Sequence, residues 1–160
     1  MCGIFGFIGE SKKPRVTFDM MTSLFIKTEE RGKDASGFYA AVKGKEAPIF
    51  WDKEDIKSSD YVKTKTWRDF ERFYKDNPVD GLIAHCRATS QGGGPEKVNR
   101  NNHPHLSADK KIAVIHNGKI PEYSVLKDRY KVHGECDSEI LLRMYESGKK
   151  HLQVLNNKEG

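Results

Sequence analysis

The clearest candidate for a reactive residue in this sequence of 160 residues is Cys2, which directly follows Met1. Because cysteine is small, we expect removal of Met1 to leave Cys2 as the first residue, with a thiol and a free α-amine. The ordinary pKa of an α-amine is about 7.7–8.0 and that of a cysteine thiol about 8.5, so the amine is partly neutral near pH 7. It can therefore accept the thiol proton, and Cys2 is a candidate nucleophile with its own general base.

Two other groups of polar residues follow predicted buried strands. One apolar run ends at Arg87, with Ser90 shortly after it, and another stops where Asn117 and Gly118 begin. The side-chain amide of Asn117 and the N–H of Gly118 could together stabilise an oxyanion. An Asn-Gly pair is more often a turn with positive φ, however. Arg87 could bind a carboxylate through two hydrogen bonds, or form a surface salt bridge.

The elements that must position these groups follow from periodicity. The segment 1–9 predicts a buried strand, since its apolar residues alternate with glycines. The pattern of the whole chain predicts strands over 1–9, 38–42, 47–51, 81–87 and 111–115, and helices over 14–31, 66–75, 122–130 and 137–147. Asp137 opens the last helix, where its ordinary role would be an N-cap. The long loop 88–106 indicates either a functional or a disordered segment.

Composition limits the class of protein. A chain of this length is expected to form one domain, with 36% apolar and 32% charged residues. The odd number of cysteines, Cys2, Cys86 and Cys136, favours free thiols in a reducing cytoplasm over a disulfide framework. Neither a secretory signal nor an apolar run of membrane-spanning length is present.

Together, six segments resemble the class II glutamine amidotransferase domains of the N-terminal nucleophile hydrolase superfamily. They occur in the family order, from residue 2 to about residue 145. The six segments are Met1-Cys2-Gly3-Ile4-Phe5-Gly6, Arg31-Gly32-Lys33-Asp34-Ala35-Ser36-Gly37, His85-Cys86-Arg87 with Ser90 and Gly92, Asn102-His103-Pro104-His105, His116-Asn117-Gly118-Lys119-Ile120 and Asp137-Ser138-Glu139.

The resemblance implies that Cys2 attacks the side-chain amide of glutamine and that Asn117 and Gly118 form the oxyanion hole. Ammonia would leave, and water would cleave the γ-glutamyl thioester to glutamate. Arg87 would bind the α-carboxylate of glutamine and Asp137 its α-ammonium. Independently of the family, one arginine and one aspartate are the minimal set that recognises both charges of a free amino acid.

The resemblance also implies that Ser90 and His103 line the glutamine pocket. Ser90 stands where many members carry threonine, and Gln91 where some carry histidine. We expect the first difference to be harmless and the second to alter the mouth of the pocket. No cofactor and no metal are expected, and the acceptor of the ammonia would belong to a partner subunit or domain.

For the fold, the resemblance implies an α+β protein, a four-layer αββα sandwich of two mainly antiparallel sheets. We expect residues 1–150 to form the amidotransferase domain and 151–160 a C-terminal tail, since the tail shows no periodic pattern. Family domains usually continue with further strands after the helix that Asp137 opens. The C-terminal end is therefore expected to be shortened, or completed by a partner.

Three other interpretations stay open at this point. The first is a catalytically silent amidotransferase-like subunit, which a retained Met1 would produce. The second is a nucleic-acid-binding module, suggested by the net charge of +5 and the pI near 9, although the lysines alternate with acids and no recognised RNA- or DNA-binding motif is present. The third is a metal site, for which candidate ligands exist without paired zinc-ligand spacing: His85, Cys86, His103, His105 and His116.

Overall fold

The computed structural model describes residues 1–9, 16–44, 47–89, 95 and 97–156, with side chains described as far as residue 148. The strands are Gly3–Ile8 (β1), Ala35–Val42 (β2), Ile49–Glu54 (β3), Val79–Arg87 (β4), His105–Leu106 (β5) and Ala113–Val114 (β6). The helices are Phe18–Thr28 (α1), Ser58–Tyr61 (α2), Lys65–Asp76 (α3), Tyr123–Tyr130 (α4) and Glu139–Asn156 (α5). Short 3₁₀ turns cover Glu29–Arg31 and Asn99–Asn101.

The main sheet has four antiparallel strands in the order β1-β4-β2-β3, and β5 and β6 form a separate antiparallel pair. The protein is therefore α+β with a mainly antiparallel sheet, as the sequence predicted. Strand β4 lies between β1 and β2, where Cys86 pairs with Gly3 on one side and with Ser36 on the other. This central place brings the end of β4 next to the start of β1.

The two faces of the main sheet have different neighbours, because successive side chains of a strand point to opposite faces. Leu82, Ala84 and Cys86 of β4 belong to the hydrophobic core that α1, α2 and α3 share with the sheet. His85 and Arg87 alternate with them and therefore lie on the other face. The helices thus cover one face, and the polar ends of the strands are presented on the opposite one.

Aromatic packing holds the helical face. Helix α3 begins after Thr64, whose hydroxyl accepts a hydrogen bond from Trp67 N, and it buries Trp67, Phe70 and Tyr74 as its helical spacing predicts. The ring of Trp67 stacks on Phe25 of α1 with centroids 5.1 Å apart. Such pairs contribute about 0.5–1.5 kcal/mol beyond the burial of their area. These aromatic residues therefore belong to the hydrophobic core, and the predicted helix over 66–75 is confirmed.

Three predictions about the elements were wrong. Strand β1 is an edge strand rather than a buried one, and 49% of Ile4 and 95% of Ile8 are exposed. No element is predicted over 52–65, yet this segment contains the end of β3 and the short helix α2. Helix α5 continues to Asn156, well past the predicted end at residue 147, so the first part of segment 151–160 is helical. None of the helices in the described ranges is long and apolar enough to cross a bilayer.

Candidate active site

Cys2 is placed by the first strand of the sheet. Gly3 pairs with Cys86, so Cys2 lies beside Arg87 at the end of β4, on the face away from the helices. The thiol is half-buried and touches the main chain of Ala88, whose N–H donates to Sγ over 3.4 Å and whose carbonyl oxygen lies 3.6 Å from Sγ. Arg31 Nε donates to the carbonyl oxygen of Cys2 over 3.2 Å. The position of Cys2 is therefore fixed on two sides.

Asn117 meets the main chain of Cys2. The nitrogen of Cys2 donates to Asn117 Oδ1 over 3.2 Å. Because a main-chain N–H can only donate, the amide oxygen must face it, and the NH₂ group of Asn117 then points to its other side. The positive φ values among the described non-glycine residues belong to Lys110 and Lys131, and not to Asn117. The alternative of a positive-φ turn is therefore wrong at this position.

Gly118 is required by a close approach and not by its φ. A Cβ atom built on Gly118 would lie 2.5 Å from Nε2 of His116, closer than side chains pack. His116 is itself fixed, since Nδ1 lies 3.0 Å from Ser138 Oγ and its carbonyl oxygen lies 3.3 Å from His85 Nε2. The segment 116–118 is thus held between β4 and the start of α5.

Asp137 holds the same segment from the other end. Its Oδ2 accepts a hydrogen bond from Ile120 N over 2.7 Å, and its Oδ1 lies 3.4 Å from Ser138 Oγ. The carboxylate is 9% exposed and lies directly before α5. The side chain therefore positions the residues after Asn117 and Gly118, a role that the N-cap interpretation does not describe.

Arg87 is buried rather than exposed. Only 3% of the residue is accessible, and its guanidinium donates to Asn102 Oδ1 over 2.6 Å. A surface salt bridge is therefore the wrong interpretation. Burial raises the pKa of the Cys136 thiol, while the charge of Arg87 lowers it and that of Asp137 raises it. Asp137 Oδ1 lies 4.0 Å from this thiol.

His103 lies in a cluster of buried histidines. Its ring centroid is 4.0 Å from that of His85 and 4.6 Å from that of His105. Burial lowers the pKa of His103 well below its ordinary value, that of His85 to about 4 and that of His105 to about 3. All three rings are therefore neutral at pH 7.

Two residues near His103 escaped the sequence-based predictions. Lys53 of β3 donates to the carbonyl oxygens of Asn102 and Pro104 over 2.6 and 3.0 Å, and burial lowers the pKa of its amine to about 8. Gly37 of β2 leaves space for the main chain of His103, because a Cβ atom there would overlap the His103 carbonyl oxygen. The loop that contains His103 is therefore held against the sheet by hydrogen bonds from the Lys53 ammonium and by close contact between its backbone and Gly37.

Most of the predicted site residues are brought together. Cys2 contacts Asn117, and Gly118 and Asp137 belong to the same hydrogen-bonded segment. Arg87 and His103 lie beside it, joined through Asn102. Ser90 lies outside the described residues. The contact of Ala88 with the thiol was not predicted, because every residue except proline carries a main-chain N–H and the sequence does not distinguish one from another.

Known proteins resemble the chain along most of its length, although no family model matches it. The chain is 29% identical over 153 residues to the glutamine–fructose-6-phosphate aminotransferase (isomerizing) of Bacteroides thetaiotaomicron, and the match covers 91% of the chain and 22% of that protein. The enzymes of the same name from Clostridium perfringens and Cyanidium caldarium are each 30% identical, over 88% and 96% of the chain and 21% and 23% of the relative.

The chain thus spans about a fifth of the length of these relatives. The alignments agree with the order of the motifs and with the hydrogen bond between Cys2 and Asn117. The chain belongs to the class II glutamine amidotransferase domains.

Proposed function

We propose that the chain hydrolyses glutamine to glutamate and ammonia, with the thiol of Cys2 as the nucleophile. The observation that carries this proposal is the contact between Cys2 N and Asn117 Oδ1 at 3.2 Å. It supports the proposal because the nitrogen that would serve as the base lies next to the residue proposed as the oxyanion donor. The names of the relatives, which describe an amino-group transfer from glutamine, support the same substrate.

The proposed reaction requires a free N-terminal amine. Met1 is 85% exposed, so its peptide bond is accessible to an aminopeptidase. After its removal the nitrogen that now contacts Asn117 becomes the α-amine of Cys2. This amine takes the thiol proton, Sγ bonds to the amide carbon of glutamine, and the oxygen of that amide becomes negatively charged. The NH₂ of Asn117 and the N–H of Gly118 donate to this oxygen.

Collapse of the tetrahedral intermediate then breaks the C–N bond. The α-ammonium of Cys2 returns its proton to the departing nitrogen, ammonia leaves, and the γ-glutamyl group stays on Sγ as a thioester. In the second half the amine takes a proton from water, whose oxygen attacks the thioester carbon. The C–S bond breaks, the thiol is restored and glutamate leaves.

Two charged residues are proposed to select glutamine. The guanidinium of Arg87 would bind the α-carboxylate and the carboxylate of Asp137 the α-ammonium, with His103 and Ser90 at the sides of the pocket. Arg87 and Asp137 are 3% and 9% exposed, so their interactions with a ligand are weakly screened by water. The low exposure makes each charge a strong determinant of affinity.

We also propose that the fold is completed as a four-layer sandwich and that an acceptor receives the ammonia. Helices α1, α2 and α3 cover one face of the main sheet, while α5 contacts β5 and β6 beyond the other face. This order of layers supports the αββα arrangement. The relatives transfer an amino group to fructose 6-phosphate, as their name states. We infer that an acceptor site lies in another domain or subunit.

A second candidate is a catalytically silent subunit, which a form that keeps Met1 would be, because a peptide nitrogen at Cys2 cannot act as a base. Nucleic-acid binding has less support from the surface, where lysines pair with acids one turn away on the same helix or in the adjoining turn: Lys27 with Glu30, Lys63 with Asp60, Lys65 with Asp69 and Lys75 with Glu71.

The test is ammonia release from glutamine by protein whose intact mass shows that Met1 is absent. Cys2→Ala and a form with a fixed N-terminal extension should both be inactive and should keep the melting temperature of the parent protein. Cys86→Ser, which changes a buried thiol of the helical core, serves as the control with activity retained. Full activity in protein that retains Met1 would refute the N-terminal mechanism.

A further inference from the structure

We propose that His103, His105 and Cys136 form a binding site for a soft divalent cation, with Zn²⁺ as the expected ion. Each of the three residues is 3% exposed. One ligand atom from each lies within 4.8 Å of those of the other two. Ligands around a single tetrahedral zinc ion lie roughly 3.3–3.8 Å apart, given bonds of about 2.0–2.3 Å. Small side-chain rotations therefore suffice to close the site.

Unsatisfied nitrogen atoms are the second observation. Both ring nitrogens of His103 and Nε2 of His105 are buried and have no hydrogen-bond partner among the described residues. Buried polar side-chain atoms are normally hydrogen-bonded, so three such nitrogens in one cluster require an explanation. A metal ion bound to one nitrogen of each ring would satisfy two of these three atoms, namely Nε2 of His105 and one ring nitrogen of His103.

The three ligands come from two parts of the chain. His103 lies in the loop before β5, His105 is the first residue of β5, and Cys136 lies three residues before the start of α5. Two imidazoles and one thiolate, with a fourth position for water, are a ligand set that zinc accepts. A surface cavity of about 300 Å³ is lined by His105, His133 and Glu139, among others, and provides a path to the cluster.

The ligand types favour a soft ion over a hard one. Lys53 and Arg87 donate to Asn102 over 2.6 Å and their positive charges oppose any cation, so binding must come from the thiolate and imidazole bonds. Magnesium and calcium prefer oxygen ligands, which the three proposed side chains do not offer. Thiolate and imidazole are the ligands that zinc and copper(I) prefer, and we take zinc as the ion to be tested.

The site can be tested without an activity assay, which matters because His103 is also proposed to line the glutamine pocket. The full chain would carry Cys2→Ala, so that the half-buried N-terminal thiol does not bind metal. After removal of metal by a chelator, ZnCl₂ is titrated by calorimetry and Co²⁺ by absorption. We expect one equivalent per chain and a thiolate-to-cobalt charge-transfer band.

Two variants and a matched control assign the ligands. Cys136→Ser should abolish the charge-transfer band, and both Cys136→Ser and His105→Gln should weaken zinc binding at least tenfold. Cys86→Ser also removes a buried thiol, but from the helical side of the sheet, and should leave binding unchanged. Zinc binding that survives both cluster variants, or no binding at all, would overturn the proposal.

A second experiment keeps Cys136 and both histidines intact, so its result does not depend on whether the ligand variants fold. Alkylation of the buried cysteines, followed by mass spectrometry, reports the reactivity of each thiol. Zinc should slow the modification of Cys136 at least tenfold and leave that of Cys86 as it was. Equal rates with and without zinc at Cys136 would contradict the site.

Discussion

Replacing Asn117 by aspartate separates its two proposed roles. The side-chain oxygen of Asn117 accepts from Cys2 N, and its NH₂ group is proposed to donate to the oxyanion. Aspartate keeps an acceptor for the N-terminus and removes the donor. It also places a negative charge where a negative charge must develop. Asn117→Ala removes donor and acceptor together and adds no charge.

The expected effects follow from the position of the residue. Loss of one oxyanion donor lowers kcat by roughly 10²–10³, and the charge of Asn117→Asp should make its loss at least as large. KM should change little, because the donor acts mainly on charge that appears in the transition state. Asn117 is exposed and its φ is not positive, so either change should cost no more than about 1 kcal/mol of unfolding free energy.

Steady-state ammonia release and thermal unfolding on the same preparations decide the matter. A cost of 1 kcal/mol lowers the melting temperature by about 2–4 °C in a protein of this size. Asn77→Ala is the control, since Asn77 caps the end of α3 through Phe73 O, far from the thiol in the fold. It should lose stability and keep kcat. Asn117→Ala with an unchanged kcat and a lowered melting temperature would refute the oxyanion role.

Two further predictions concern ligand charge and pH. Arg87→Ala and Asp137→Asn should each raise KM for glutamine at least tenfold, since unpairing a buried charge costs about 2–5 kcal/mol. Asparagine still accepts from Ile120 N, so a normal KM in both variants would exclude the charge-recognition role. Burial lowers the pKa of His85 in the folded protein to about 4, whereas its ordinary pKa is about 6.5. Between these two pH values the unfolded chain binds more protons than the folded one, so the free energy of unfolding falls as the pH falls. Chemical unfolding of metal-free protein should show a loss from His85 of up to roughly 3 kcal/mol across this window, in addition to the losses from His103 and His105, whose pKa values burial also lowers. The variant His85→Gln should lack the His85 part. An equal loss in the variant would show that His85 is not the group responsible.

The parts of the site that lie at strand ends could be predicted from the sequence. An apolar run that stops at a charged or amide residue marks both the end of a strand and a polar group near that end, as with Arg87 and Asn117. The spacing of Trp67, Phe70 and Tyr74 likewise predicted a buried helical face, since that pattern depends only on local geometry. Residue types and local periodicity were sufficient in these cases.

Contacts that depend on tertiary structure could not be predicted in this way. Lys53 looked like one of many surface lysines, and its burial depends on the loop that crosses β3. The exposed side of β1 follows from its edge position, which periodicity does not determine. Likewise, the extension of α5 beyond residue 147 crosses a polar segment with no clear apolar stripe. The first two features depend on partners that are distant in sequence.

The alternation along β4 links stability to chemistry in one strand. Leu82, Ala84 and Cys86 pack against the helices, whereas His85 and Arg87 face the site. A one-residue shift of β4 against β1 would exchange these two sets and would bury Arg87 among aromatic rings, which is prohibitively unfavourable. The hydrophobic core therefore fixes the register, and the register in turn places Cys2 beside Arg87 and Ala88. It follows that the geometry of the nucleophile depends on packing on the opposite face of the sheet.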